Sequence, residues 1–235
     1  MSAYAIEGVG LTRRFGGFAA LDGVDIAVKQ GEIRGLIGPN GAGKSTLIDV
    51  LSGRAPNRGG KVLLNGEDIS DLTPQERRRR GMARSFQRTN IFPELTVEQQ
   101  LRVASWAVAG ADIDEVMDEL HLTAMADVVA AEISYGDQRH LDLALALVGR
   151  PTVLLLDEPA AGLTMEESLS LARILRDLAN RWHVTVLLVE HDMQVVFSIC
   201  DRVTVLHLGR SLSEGTCDEI RADPTVVAAY LGTEA

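Results

Sequence analysis

Eight residues, Gly38-Pro39-Asn40-Gly41-Ala42-Gly43-Lys44-Ser45, constrain this chain more than any other stretch. They read G-x-x-x-x-G-K-S and stand between an aliphatic strand-like run, Ile33 to Ile37, and a helix-like run, Thr46 to Leu51. A strand, a tight glycine turn and a helix start, in that order, form a cradle for a polyphosphate. The glycines let the main chain wrap closely, and the N–H groups at the helix start point at phosphate oxygens. Lys44 would set its ammonium on the outer phosphates, and the Ser45 hydroxyl would complete the shell of a Mg²⁺ ion. The expectation is a nucleoside triphosphate site built from residues 38–46, Thr46 included.

The rest of the composition suits a compact chain with a sizeable core. The 235 residues are 46% hydrophobic, enough for one large α/β domain carrying a smaller lobe. A net charge of −10 argues against nucleic acid as the main partner. Cys200 and Cys217 form no C-x-x-C pair, which suits a reducing compartment. No basic-then-apolar leader and no apolar run of membrane-span length is visible, so contact with a membrane is expected to run through another protein.

The chain alternates along its length. Residues 4–35 hold short strand-like pieces punctuated by Gly16-Gly17, Asp22-Gly23 and Gln30-Gly31, and Val62-Leu63-Leu64 before Asn65-Gly66 reads as a hairpin. From Val97 to Leu147 the apolar spacing is helical. Two unbroken aliphatic runs follow, Val153 to Leu156 and Val184 to Val189, separated by an amphipathic helix over about residues 166–180. Such runs suit strands buried on both faces of a parallel sheet. A third run, Arg202 to Leu208, ends at Gly209.

The first of those runs ends in Asp157-Glu158. Two carboxylates at the carboxyl edge of such a sheet lie where α/β proteins bind ligands. Asp157 would hold Mg²⁺, and Glu158 would polarise the water attacking the γ-phosphate. Upstream, Ile133-Ser134-Tyr135-Gly136-Asp137-Gln138 precedes a helical run, and a hydroxyl beside free helix-start N–H groups is an anion site. Here the chain resembles the ATP-binding-cassette family, whose signature is L-S-G-G-Q. Ser134 and Gly136 match it, Tyr135 and Asp137 depart from it, and Asp137 adds negative charge near a phosphate.

The resemblance extends over essentially the whole chain. It implies an α/β fold: a P-loop NTPase core with a mainly parallel sheet, an N-terminal antiparallel β subdomain and an inserted α-helical subdomain. The core would comprise residues 1–87 and 151–235, and the helical lobe with the signature residues 88–150. Phe15 stands where the family places an aromatic against adenine, although an isolated phenylalanine also suits a core. Gln87 matches the glutamine that reaches Mg²⁺ and the attacking water, and His191, in Glu190-His191-Asp192, matches the switch histidine on the γ-phosphate. The implied catalytic set is Lys44, Gln87, Glu158 and His191, with Ser45, Gln87 and Asp157 toward the metal.

The family's pattern further implies two chains sandwiching two ATP molecules, each bound by one P-loop and by Ser134-Gly136 of the other chain, as a homodimer or as a heterodimer with a second ATPase subunit. Transmembrane permease subunits would dock on it from the membrane, with a substrate-binding protein as an indirect partner. The chain would then be cytoplasmic and peripheral on the inner face of the cell membrane. The family's S-A-L-D is replaced here by Ala161-Gly162-Leu163-Thr164, so its aspartate is missing. Pro159-Ala160-Ala161-Gly162-Leu163, Phe15-Gly16-Gly17, Ile91-Phe92-Pro93-Glu94-Leu95-Thr96-Val97 and, toward the terminus, Glu214-Gly215-Thr216 and Ala229-Tyr230-Leu231-Gly232 resemble the branch importing branched-chain and other hydrophobic amino acids.

Alternatives from other classes are an ATPase for another cargo such as urea or amides, a soluble cassette ATPase acting in DNA repair or on ribosomes, and a P-loop kinase. The Ser-Tyr-Gly signature, Glu158 and His191 argue against the kinase. Arg77-Arg78-Arg79-Arg80 lies at the end of an expected helix beginning near Thr73-Pro74 and reads as a solvated, dipole-complementing end. A permease helix would meet residues 88–96, with Ile91, Phe92 and Leu95 as apolar contacts.

Overall fold

A computed structural model describes residues 2–57, 59–85, 90–108 and 111–231. Among them the chain forms ten strands and nine α-helices. In order, these are β1 (Tyr4–Phe15), β2 (Phe18–Lys29), β3 (Ile33–Ile37), α1 (Lys44–Leu51), β4 (Lys61–Leu64), β5 (Glu67–Asp68), α2 (Pro74–Arg79), β6 (Met82–Arg84), α3 (Val97–Ser105) and α4 (Ile113–Glu119). Then come α5 (Tyr135–Leu147), β7 (Val153–Asp157), α6 (Met165–Trp182), β8 (Thr185–Val189), α7 (Met193–Ile199), β9 (Arg202–His207), β10 (Arg210–Gly215), α8 (Cys217–Ala222) and α9 (Pro224–Leu231).

Two sheets organise these elements. One is antiparallel, in the order β2-β1-β4-β5; the other runs β10-β9-β3-β8-β7-β6 and is parallel except for its β10 edge. The aliphatic strands at its centre are buried at every residue because both faces are covered. Alternate side chains go to different cores. Leu154, Leu156, Val186 and Leu188 meet α5, α6 and α7, whereas Val153, Leu155, Leu187 and Val189 face α1 and the antiparallel sheet. Each fully buried aliphatic side chain of this kind contributes about 1.5–3 kcal/mol. Val97, Leu101, Val116 and Met117 of α3 and α4 join the first core, which keys the helical segment to the sheet.

Two expectations need correction. The stretch before residue 30 forms two long strands rather than short pieces, because Asp22-Gly23 is not a turn. Gly23 (φ 71°) instead sits at an irregularity of the β1–β2 pairing, where the register shifts between Leu11–Val24 and Thr12–Asp22. The arginine run is not a solvated helix end either. Arg77 is buried and donates to the carbonyls of Val50, Leu51, Ser70 and Leu72, closing the C-terminus of α1 with a planar fork. Arg78 donates to the carbonyl of Val148, while Arg79 and Arg80 stay exposed.

Candidate active site

β3, β7 and β8 end side by side, and the segments leaving them supply the polar groups of the site. After β3 the chain turns through Gly38 (φ 153°), Gly41 (φ 79°) and Gly43 (φ 108°). A Cβ on Gly43 would stand 2.5 Å from the carbonyl oxygen of Ala20, so both the dihedral and the close approach require glycine there. Gly43 is also the N-cap of α1 and offers no capping side chain, which leaves the helix-start N–H groups for an anion. Lys44 is buried and folds back so that Nζ donates to the carbonyls of Gly38 (2.5 Å) and Pro39 (3.1 Å). Burial pushes its ammonium below the ordinary 10.5, against the opposing pull of Glu158 and Asp157.

A cleft of about 330 Å³ opens on this loop, lined by Asn40, Gly41, Ala42, Gly43, Lys44, Ser45 and Thr46, with Glu158 reaching in from β7. Gly38 and Pro39 form the base of the turn outside that lining. The lining also includes two exposed aromatic rings, Phe15 and Phe18. Phe15 lies beneath the Arg13 guanidinium at 4.9 Å. Phe18 was missed, although a two-residue hairpin through Gly16-Gly17 pairs it with Phe15 and so brings it to the same cleft.

Asp157 is outside the cleft lining, buried at the end of β7. Its Oδ2 faces Arg84 Nη2 at 3.4 Å, and its Oδ1 has no hydrogen-bond partner among the described residues. Burial raises its carboxyl above the ordinary 3.8, with Arg84 the main opposing influence, and the Ser45 hydroxyl is close enough to act on it too. Arg84 also grips Asp49 Oδ1 (2.5 Å) on α1 and Ser52 Oγ (2.9 Å) at its C-cap, tying β6, α1 and β7 together. The next residue, Glu158, has φ 52° and donates its N–H to the carbonyl of Val189 on β8. A left-handed glutamate at a strand exit is a strained conformation of a kind that clusters at functional sites.

The signature residues lie apart from this cleft. Ser134 caps α5: the Asp137 N–H donates to Ser134 Oγ (3.1 Å), and the Ser134 hydroxyl donates to Asp137 Oδ2 (2.6 Å). Asp137 therefore closes on the cap instead of standing free toward a ligand. Gly136 leaves room toward Glu167, whose Oε1 would be 3.4 Å from an added Cβ. Thr164, in the place of the family's aspartate, caps α6 in a full capping box with Glu167. His191 is exposed, outside the cleft lining, with Nδ1 3.9 Å from Glu190 Oε2. Gln87 falls outside the described residues, as do Arg88 and Thr89 of the expected docking segment. In the rest of that segment Phe92 is exposed, while Ile91 is partly buried and packs on the core.

Like Phe18, Arg84 and Glu190 belong to no sequence motif. Glu190 is buried; Oε1 accepts the Ala160 N–H (3.0 Å) and Oε2 the His191 N–H (3.3 Å), and burial raises its carboxyl above 4.5. An acid immediately before a motif histidine was the available signal, and it says nothing about which amides the acid would meet.

A P-loop cradle on β3, an acid pair on β7 and two aromatic rings at the cleft define a nucleotide-hydrolysing cassette. The ABC transporter family model matches residues 21–161, and the chain belongs to that family as the ATP-binding and ATP-hydrolysing subunit of a transporter. A second model, described as branched-chain amino acid ATP-binding cassette transporter, matches residues 210–235. The chain is 38% identical to BraF, the high-affinity branched-chain amino acid transport ATP-binding protein of Pseudomonas aeruginosa, over 99% of both chains. It is 39% identical to the methionine import ATP-binding protein MetN of Rhizobium johnstonii, over 90% of this chain and 61% of that one. A crystal structure of the ADP conformation of an ATP-binding cassette of an ABC transporter superposes with a TM-score of 0.89 at 28% identity, over 98% of this chain and 100% of that one.

Proposed function

We propose that this chain is the Mg²⁺-dependent ATPase of an importer of branched-chain or other hydrophobic amino acids, attached to the inner face of the cell membrane through its permease subunits. The observation that carries the catalytic reading is the meeting of the Lys44 loop and Glu158 in one cleft, with Asp157 next to Glu158 at the end of β7. Helix-start amides and Lys44 hold the phosphates, and the ring of Phe15, with Phe18, supports the adenine. Asp157, with one buried oxygen still able to accept a ligand, and Ser45 beside it fit a magnesium ion, which when bound neutralises phosphate charge; Gln87 completes the set. Glu158 takes the proton of the attacking water, and His191 steadies the γ-phosphate from the end of β8.

In this reading ATP is shared. Ser134 and Gly136 belong to a face separate from their own chain's cleft, which supports a second ATPase subunit supplying them across a dimer. Residues 1–87 and 151–235 act as the core and 88–150 as the lobe that moves with the permease. The cargo reading is supported by the C-terminal match at residues 210–235, because overall identity is as high to a methionine importer as to BraF. Glu158→Gln should retain ATP binding and slow hydrolysis about 10²–10⁴-fold, so that an ATP-bound dimer accumulates. Turnover at the wild-type rate would remove Glu158 from the catalytic role. Uptake of labelled leucine, methionine and urea by cells with and without this chain separates the cargoes.

A further inference from the structure

The loop leaving β7 is held from opposite sides by residues that do not line the nucleotide cleft. Just past the end of β8, Glu190 at 1% exposure takes the Ala160 N–H on Oε1. From α5, the Tyr135 hydroxyl (3.0 Å) and the Arg139 Nη2 (2.8 Å) donate to the carbonyl of Ala161. Adjacent residues are thus gripped through a donor in one direction and an acceptor in the other. Pro159 has no N–H, so Ala160 offers the first amide after Glu158 that can anchor the loop. The Glu158 N–H is itself bound to β8, which brackets the left-handed Glu158 between two attachments to the same strand end.

The residue types suit this task. Glu190 must satisfy two N–H donors, Ala160 and His191, and a carboxylate has two acceptor oxygens where an amide has one. Tyr135 is where the signature departs from glycine, and a glycine there would have no hydroxyl to reach Ala161. Gly162 (φ 83°) leaves space for the tyrosine ring, which would lie 3.0 Å from a Cβ at that position.

We propose that Glu190 and Tyr135 are positioning residues for ATP hydrolysis, clamping the loop from Glu158 to Leu163 between the end of β8 and the start of α5 so that the Glu158 carboxylate stays aimed into the cleft. The proposal rests on the reading of Glu158 as the water-activating group. It links the signature helix to the catalytic carboxylate within one chain, through Ala160 and Ala161.

The test compares steady-state ATP hydrolysis and equilibrium nucleotide binding of the full chain carrying Glu190→Ala, Glu190→Gln, Tyr135→Phe and Glu158→Gln. Glu190→Ala should lower kcat about 10–100-fold, since small misplacements of catalytic groups have effects of that order, while nucleotide affinity stays within about twofold. Glu190→Gln, which keeps one acceptor, should recover part of that loss. Tyr135→Phe removes only an exposed hydroxyl, leaves folding unaffected, and should lower kcat about threefold with faster amide exchange in residues 158–163. Wild-type kcat in both Glu190→Ala and Tyr135→Phe would overturn the clamp, as would parallel losses of kcat and nucleotide affinity. If Glu158→Gln is inactive while the other variants are normal, only the clamp fails; if Glu158→Gln hydrolyses normally, the reading beneath it fails.

Discussion

The two halves of the site are built on different principles. The phosphate loop is made almost entirely of main chain: three left-handed or near-extended glycines, an uncapped helix start and one lysine folded onto its own loop. The face formed by α5 and the β7 exit is made of side chains bound to main chain, such as Tyr135 and Arg139 on Ala161, Glu190 on Ala160, and Thr164 on the start of its own helix α6. Main-chain sites tolerate few substitutions because the backbone itself is the ligand. Side-chain sites can be rewired, and here they are: a tyrosine, an aspartate and a threonine stand where the family pattern has other residues, each with a hydrogen-bond partner within this chain.

That difference makes separable predictions. The largest effect is expected on the loop side. Lys44→Ala should weaken nucleotide binding by the single chain about 10²-fold or more, measured by titration with a fluorescent nucleotide, because on the proposed reading it removes the buried ammonium that would pair with the phosphates. Ser134→Ala should leave that single-chain affinity within about twofold, as exposed substitutions generally do. It should instead abolish ATP-dependent dimerisation when combined with Glu158→Gln, as read by light scattering. A dimer unaffected by Ser134→Ala would break the division of labour between the two faces.

Thr164→Ala tests whether this residue now serves the helix. Loss of the capping box should remove about 1 kcal/mol of stability, a fall of about 2–4 °C in Tm, by calorimetry. The smallest effect concerns His140 on α5. Burial, its largest influence, holds this imidazole below the ordinary 6.5. The unfolded chain therefore takes up the proton more readily, so this residue's contribution to stability is complete above pH 6.5 and is lost as the pH falls below it. His140→Gln should flatten that acid limb in a series of melting curves. An unchanged limb would show that other groups set it.

How much was legible follows the same line. The strand–loop–helix order at residues 33–51 needed only neighbours in the chain, because each glycine dihedral and the helix-start amides are local properties. The doubly buried strands were legible from their unbroken aliphatic runs, since burial on both faces removes the alternation that one wet face would impose. Even the helix at Thr73-Pro74 announced itself, through a threonine cap and a proline at the first turn. The arginines that follow were misread because their partners lie elsewhere: Arg77 meets the end of α1, twenty-six and twenty-seven positions away, and charge alone cannot reveal a carbonyl waiting to be capped.

The sequence by itself thus determined the nucleotide cradle, the acid pair at the end of β7 and the sheet that carries them, because these depend on spacing over a few residues. Only the tertiary structure decided what surrounds the acids. Arg84 reaches Asp157 across 73 positions, Glu190 reaches Ala160 across 30, and Tyr135 reaches Ala161 across 26. Such bonds form because parallel strands place their carboxyl ends together whatever their separation along the chain, and a buried polar atom must then find its partner among whichever groups the packing has brought within reach.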